Sequence, residues 1–389
     1  MHGLRVAYLA FEPFPNAKGS GTRIHQLASA LTSSGAEVHL VTLRGVSSAT
    51  GLPAGAVQHA LPILEDNFLK RALEFRAAVG RELMSIRPDV VHFRGVFEGQ
   101  AALEHARQRN IPAVFEVNGL FSVELPYHYR ALGQATSFLG KLRALEAQTL
   151  GAANLVVTQS QTTLDFLRRR GLSARTPTAV IPNGADPDLY RPPAVESNGG
   201  MTVLYAGTIA PWQGVAELLM ALRRCVRERP MHLCLAGAVR RAWQRQLQRA
   251  LRRLKVADAV TLHGPLPREA LAKLVADADI CVAPLRRDTR NGTQGCSPIK
   301  LFEYMSAARA VLATDLPCVR EIMMPEETGV LATSARPSVL AEQLLRLAGD
   351  AELRRQLGER ARADVIARAT WCHRQAELLK HYRQLVSSR

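Results

Sequence analysis

Short apolar runs recur along the chain without polar alternation. They read LRVAYLAF, EVHLVTL, DVVHFRG, PAVFEVNG, NLVVTQS and AVIPNG in the first half, then TVLYAG, HLCLAG, AVTLHG, DICVAPL, AVLATD and GVLAT in the second. A strand with one wet face alternates apolar and polar residues, whereas a continuous run belongs to a strand covered on both faces, as in parallel sheets between helices. Between the runs lie stretches with helical spacing, such as Ile24, Leu27, Ala28 and Leu31 ahead of Gly35, or Leu218, Leu219 and Leu222. Strand and helix alternate in this way twice, so the expected class is α/β, with two Rossmann-like doubly wound parallel-sheet domains. A length of 389 residues suits two cores better than one.

The break between the two rhythms falls in YRPPAVESNGG, where Pro, Ser, Asn and Gly cluster. This predicts a first domain over 1–190, a linker at about 190–200 and a second domain over 198–370. The amphipathic pattern from Trp371 to the last residue, 389, follows no strand of its own and is a candidate to pack back on the first domain.

No apolar run approaches the roughly 18 residues that a membrane span needs. The N-terminal MHGLRVAYLAFEPF reads as a buried first strand rather than a signal peptide, which predicts a cytoplasmic location. Cys225, Cys234, Cys281, Cys296, Cys318 and Cys372 show no close pair of metal-ligand spacing and read as buried thiols. The formal net charge of +16 admits nucleic acid, an anionic membrane surface or acidic substrates such as nucleotide sugars. Much of the excess is arginine on helices such as VRRAWQRQLQRALRRLK, without the interleaved aromatic platforms of single-strand binders, so no nucleic-acid partner is expected. FLKRALEFRAAVGREL, near residue 70, mixes apolar and basic faces and is a candidate contact for an anionic membrane, which would make the protein peripheral on the cytoplasmic face.

In open parallel sheets, ligands bind beyond the carboxyl ends of the strands. KGSGTRIHQLASAL follows the first strand and opens a helix, where Gly19 and Gly21 would let backbone amides approach an anion or sugar; an ordinary turn is the alternative. It is not the dinucleotide fingerprint, because Ile24 stands at the third glycine. Arg23 and His25, in the first turn, are either ligands or packing residues. FEVNGL places Glu116 and Asn118 at the end of an apolar strand, where a polar side chain is expected to reach the ligand edge rather than the core; the alternative is a capped Asn-Gly turn. DPD at 186–188 and DAD at 277–279 match a metal-holding pattern but sit where turn chemistry explains them, so no metal is expected.

TQGCSPIKLFEYM carries the most chemistry. Residues 292–298 read as a loop, Pro298 as a first-turn proline, and Leu301, Met305 and Ala308 as one face of the helix that follows. Arg286, Arg287 and Arg290 lie just upstream, and a helix N-terminus ringed by cations is where a diphosphate would sit. An acid further into the helix cannot hold phosphate, but a carboxylate can accept both hydroxyls of a ribose, and Glu303 is the candidate. Lys300 either faces the phosphates or snorkels along the helix.

These motifs resemble glycosyltransferase family 4, the retaining GT-B-fold enzymes that use nucleotide-sugar donors. The likeness spans nearly the whole chain and is most specific in SPIKLFEYMSAARAVLATDLPCVREI. The resemblance implies two domains facing a cleft, the second binding the donor and the first the acceptor. It implies a hexosyltransferase-like, metal-independent enzyme of glycan or glycoconjugate biosynthesis, without cofactor. Its partners would be a nucleotide-diphosphate sugar and a saccharide, lipid-linked or small-molecule acceptor. The family pattern has two glutamates seven residues apart; the second falls on Glu303, the first on Gly295. The family's arginine and lysine directed at the diphosphate are replaced by Thr208 and Gln213, and its histidine at the end of the strand PAVFEVNG by Asn118. Lys300 and Arg290 are therefore expected to supply the missing positive charge, with Asn118 as the third catalytic candidate. Gly19, Gly21, Thr208, Gln213, Gly295, Cys296, Ser297, Pro298, Ile299 and Glu303 are expected on the donor, and Arg23, His25 and Glu116 on the acceptor side. Two alternatives stand beside transfer: a nucleotide-sugar epimerase of the same fold and a non-catalytic nucleotide- or carbohydrate-binding relative.

Overall fold

The computed structural model describes residues 1–45, 51–193 and 200–387. The chain forms two compact units. The first comprises residues 1–182, the short piece 294–296 and the chain from Arg374 onward; the second comprises 183–293 and 297–373. Residues 194–199, most of the stretch read as a linker, lie outside the described residues.

Seven strands make the first unit's sheet: β1 (Arg5–Phe14), β2 (Glu37–Arg44), β3 (Val57–Leu61), β4 (Val90–Phe93), β5 (Ala113–Val117), β6 (Leu155–Thr158) and β7 (Thr178–Val180). All pairs are parallel, in the order β3-β2-β1-β4-β5-β6-β7. Its helices are α1 (Gly19–Ser33), α2 (Phe68–Ile86), α3 (Val96–Arg109), α4 (Phe121–His128), α5 (Thr136–Ala152) and α6 (Gln161–Arg169). Successive side chains of β1 explain the continuous apolar runs. Val6, Tyr8 and Ala10 join a core with Ile24, Leu27 and Leu31 of α1, whereas Ala7 and Leu9 join a second core with Phe75, Val79 and Leu83 of α2. Each buried aliphatic side chain of this kind contributes about 1.5–3 kcal/mol.

The second unit repeats the plan with β8 (Met201–Ala206), β9 (Met231–Ala236), β10 (Val260–Gly264), β11 (Ile280–Ala283), β12 (Ala310–Thr314) and β13 (Val330–Ala332). The order is β10-β9-β8-β11-β12-β13, again parallel throughout. The helices are α7 (Val215–Glu228), α8 (Arg241–Leu254), α9 (Arg268–Ala276), α10 (Ile299–Ser306), α11 (Pro317–Arg320), α12 (Pro337–Gly349) and α13 (Ala351–Arg368). The final helix, α14 (Trp371–Ser387), places Leu378 and Tyr382 in the α1-side core of the first unit.

In both sheets the order reverses next to the first strand, between β1 and β4 and between β8 and β11. Such a reversal sends consecutive connections to opposite faces and leaves a crevice at the carboxyl ends of the two central strands. No helix among the described residues is long and apolar enough to cross a membrane.

Candidate functional site

The second unit's reversal point gathers the residues singled out above. β8 ends at Ala206, and the chain turns through Gly207 and Thr208 into a one-turn 3-10 segment, Pro211–Gln213, that leads into α7. Opposite it, α10 begins at Ile299 with Pro298 as its N-cap, one residue later than a first-turn proline would require. The expected loop over 292–298 is replaced in its first half by a π-helical turn, Thr289–Gln294. Asn291, fully buried, holds that turn by donating from Nδ2 to the carbonyls of Trp212 (2.8 Å) and Arg286 (3.0 Å).

Lys300, in the first turn of α10, is turned to the β8 loop. Its Nζ lies 3.0 Å from Gln213 Oε1 and 4.0 Å from the centre of the Tyr205 ring. It also rests against Gly207, where an added Cβ would stand 2.7 Å from Nζ. The Tyr205 hydroxyl lies 2.8 Å from the Thr208 carbonyl and 3.1 Å from Gln213 Oε1. These donors settle which end of the Gln213 amide is oxygen and leave its NH2 group as what it can offer a ligand. The ammonium therefore stands beside a loop whose side chains at 208 and 213 are neutral.

The other upstream cations are committed elsewhere. Arg286 pairs with Glu217 at 3.4 Å, and Arg287 donates to the Asp315 carbonyl at 2.6 Å. Arg290 lies over Trp212 at 5.6 Å and donates to Asn291 Oδ1 at 3.0 Å. Trp212 precedes Gln213, so Arg290 borders the same loop.

Glu303, one turn further along α10, is half-buried. Burial raises its carboxyl above the usual range, partly offset by a hydrogen bond from Tyr190 and by the charges of Arg268 and Lys300. Tyr190 is itself 2% exposed, so the carboxylate is oriented by a buried donor. Ser297 Oγ accepts from the backbone N of Asn183 at 3.0 Å, and its carbonyl accepts from Asn183 Nδ2. Asn183 thereby anchors the start of α10, with the Ser297 hydroxyl accepting one of the two bonds.

Gly295 and half-buried Cys296 belong to the first unit. Gly295 has φ of +83°, and a Cβ there would meet Thr162 at 2.9 Å and Ser160 Oγ at 3.1 Å. A glutamate at this position would need both a left-handed backbone and room that Thr162 occupies. Gln294, missed in the sequence, is 1% exposed; its Oε1 accepts from Leu120 N and its Nε2 donates to Glu124 Oε1, each at 2.8 Å. Glu124 is the carboxylate next to this segment, and an isolated Glu on a short helix gave no sequence signal for it.

The acceptor-side expectations need correcting. Arg23 and Glu116 are 2% and 1% exposed and form a buried ion pair, Nε to Oε1 at 2.5 Å. Glu116 also accepts from Tyr8 and from Asn118 Nδ2 (2.9 Å), with His92 Nε2 at 3.2 Å and Arg94 Nε at 3.6 Å. Burial alone would raise its carboxyl; Arg94, Arg23 and His92 outweigh it and hold the group well below the usual range. His92 Nδ1 lies 2.7 Å from the Tyr382 hydroxyl of α14. The polar strand end therefore points inward, because Arg23 of α1, Tyr8 of β1 and His92 of β4 cover it, and Tyr382 of α14 reaches His92 behind them. Asn118 keeps one edge on Glu116 while its carbonyl accepts from Gln159 at 2.6 Å. His25 Nδ1 lies 2.9 Å from the Gly51 carbonyl.

Gly19 opens α1, whose N-cap Lys18 makes no side-chain cap. Gly21 faces its own loop, where a Cβ would be 2.6 Å from the Asn16 carbonyl, so it permits packing rather than ligand approach. Asp186 Oδ1 accepts from the N of Asp188 (3.1 Å) and Leu189 (3.2 Å), so the first D-x-D match makes a turn, whereas Asp279 accepts from Thr202 N at 2.7 Å and ties the start of β11 to β8. Cys372 is exposed, unlike the buried thiol expected there.

A family model described as Glycosyltransferase Family 4 matches residues 17–189, and one described as Glycosyl transferases group 1 matches 200–350. The chain is 26% identical to a D-inositol 3-phosphate glycosyltransferase of Xylanimonas cellulosilytica, over 100% of this chain and 98% of that protein. It is 26% identical to a phosphatidyl-myo-inositol mannosyltransferase of Mycolicibacterium smegmatis, over 97% of this chain and 93% of the relative. Among solved structures, sucrose-phosphate synthase from Thermosynechococcus elongatus superposes with a TM-score of 0.85 at 20% identity, covering 99% of this chain and all of that one. Anabaena HepE in complex with UDP and glucose gives 0.79 at 16% identity, covering 98% and 100%. These likenesses show the GT-B fold.

Proposed function

The chain belongs to glycosyltransferase family 4, and from that we propose that it moves a sugar from a nucleotide-diphosphate donor to a saccharide, lipid-linked or small-molecule acceptor. The transfer retains anomeric configuration and needs no metal. The second unit takes the donor and the first the acceptor. Relatives with transferase and synthase names favour transfer over the epimerase and binding-only alternatives.

The observation that carries the reading is the position of Lys300. Leaving of the nucleoside diphosphate builds negative charge that a preorganised cation stabilises. The side chains at 208 and 213 are neutral, and the Lys300 ammonium stands against Gln213 and Gly207. The backbone amides at the start of α10 add a dipole of the right sign. Glu303, oriented by Tyr190, takes the ribose hydroxyls. Arg290 supports the loop through Trp212, and Asn118 is the candidate beside the transferred sugar.

The place of action read with this function is the cytoplasmic face of an anionic membrane. In support, the outer side of α2 exposes Leu69, Leu73 and Met84 together with Lys70, Arg76 and Arg81. Flotation with anionic liposomes should carry the protein upward, and absence of flotation removes this part of the reading.

The test of the reaction is a thermal-shift panel of nucleotide-diphosphate sugars, repeated with Glu303→Ala. One donor should raise the melting temperature of the parent protein and not of the variant, and incubation with that donor and an acceptor extract should yield a glycosylated product. A shift without transfer or hydrolysis would overturn the enzymatic reading.

A further inference from the structure

The outer edge of the first sheet carries two histidines that the transfer chemistry does not use. His39, near the amino end of β2, and His59 of the edge strand β3 lie on the α2 side of the sheet. Their rings face each other, with His39 Nδ1 2.9 Å from His59 Nε2. The far nitrogen of each ring meets a carboxylate. His39 Nε2 lies 2.9 Å from Glu37 Oε1, and His59 Nδ1 lies 2.7 Å from Glu82 Oε2 of α2. Glu37 is held in turn by Arg5 of β1, whose Nε stands 3.0 Å from Oε2 and whose Nη1 donates to the Ile86 carbonyl at 3.0 Å.

A carboxylate only accepts, so both far nitrogens carry hydrogens. The bonds from His39 and Arg5 lower the Glu37 carboxyl, which keeps it in that accepting form. A neutral ring protonated on its far nitrogen presents a bare lone pair on the near one. Two such lone pairs would face each other at 2.9 Å, and only a cation between them relieves this, either one shared extra proton or a metal ion. An imidazole whose other N–H is fixed by a carboxylate is the form in which histidine ligates transition metals. Here both rings are held in that way.

We propose that His39 Nδ1 and His59 Nε2 bind one divalent transition-metal ion such as zinc, which takes the place of the shared proton and ties the edge strand β3 to β2. Metal–nitrogen bonds of about 2.0–2.1 Å at a tetrahedral angle set the two nitrogens about 3.3 Å apart. The contact must therefore widen by about 0.4 Å, which small rotations of two half-buried side chains supply. Among the described residues no group of three or more His, Cys, Asp or Glu side chains is placed to hold a metal, so these two ligands share the ion with water. The side chains are 12% and 23% exposed, which admits that water.

The test is calorimetric titration of the full chain with Zn²⁺ and with Ca²⁺, joined to absorption spectroscopy of the Co²⁺-loaded protein. Zn²⁺ should bind saturably and raise the melting temperature, whereas Ca²⁺, which takes oxygen ligands, should do neither. Co²⁺ should give d–d bands without a thiolate charge-transfer band, which identifies imidazole ligation in the parent chain whatever the variants do to folding. His39→Gln and His59→Gln should each abolish saturable Zn²⁺ binding, and Glu82→Gln should weaken it about tenfold. Cys372→Ser removes the exposed thiol, His232→Gln removes a histidine of the second unit, and both should leave binding unchanged. Absence of saturable Zn²⁺ binding, equal binding of Ca²⁺, a thiolate band, or binding retained in both the His39 and His59 variants would overturn the proposal.

Discussion

Lys300 reaches across from the first turn of α10 to Gln213, 87 positions earlier, its Nζ 3.0 Å from Oε1, so an ammonium stands against the β8 loop beside the neutral side chain of Gln213. Lys300→Ala should therefore lower turnover at least about tenfold, since loss of one donor to a developing charge typically costs about 10²–10³-fold. The double variant Lys300→Ala, Gln213→Lys should recover most of that loss, because it returns an ammonium to the loop from the other side. Parent-like turnover in the single variant, or no recovery in the double, would show that Lys300 only packs on Tyr205.

Gly295 has a left-handed backbone and no room for a Cβ beside Thr162 and Ser160. Gly295→Ala should cost about 1–2 kcal/mol in urea unfolding, the penalty of a left-handed non-glycine residue. Gly295→Glu should cost more and fail to raise transfer. A stable and more active Gly295→Glu would mean that the segment rearranges to accept the acid.

The buried pair of Arg23 and Glu116 makes a stability prediction. Glu116→Ala strands Arg23 in the core and should cost about 3–5 kcal/mol in chemical denaturation, whereas Arg23→Met with Glu116→Leu should recover much of it. If Glu116→Ala leaves stability intact and raises only KM for the acceptor, the acceptor-side role returns.

Glu98 in α3 is 1% exposed, with Oε1 accepting from Phe11 N at 3.2 Å and no hydrogen-bond partner for Oε2. Burial pushes its carboxyl up to about 7; the backbone N–H groups and Arg94 oppose this, and Glu12 adds to it. A raised acid holds its proton in the folded state where the unfolded chain has lost it. Its contribution is thus full below the ordinary carboxyl range and is lost as pH rises through about 7. Melting temperature followed from pH 4 to pH 8 should fall less in Glu98→Gln than in the parent. Parallel curves would exclude Glu98 as the source.

The positions of nearly all strands were legible from the sequence, because burial on both faces imposes continuous apolar runs whatever the neighbours are. The helix after Pro298 and the candidacy of Glu303 were legible for a similar reason, since a carboxylate at that depth in an otherwise apolar helix is a local signal. Arg23 and Glu116 were misplaced, because a charge at a strand end looks the same whether it meets solvent or a guanidinium 93 residues away. Gln294 and Asn291 gave no signal, since an amide in a loop acquires its meaning from the backbone groups it reaches.

By itself, then, the sequence determined the two α/β units and the loops that close their strands, which follow from residue-by-residue burial and turn chemistry. Tertiary structure alone decided the strand order with its reversal beside β1 and β8, the inward turn of the Arg23–Glu116 pair and the partner of Lys300. These depend on groups far apart in the chain meeting in space. Periodicity records which side chains avoid water, not which of them meet.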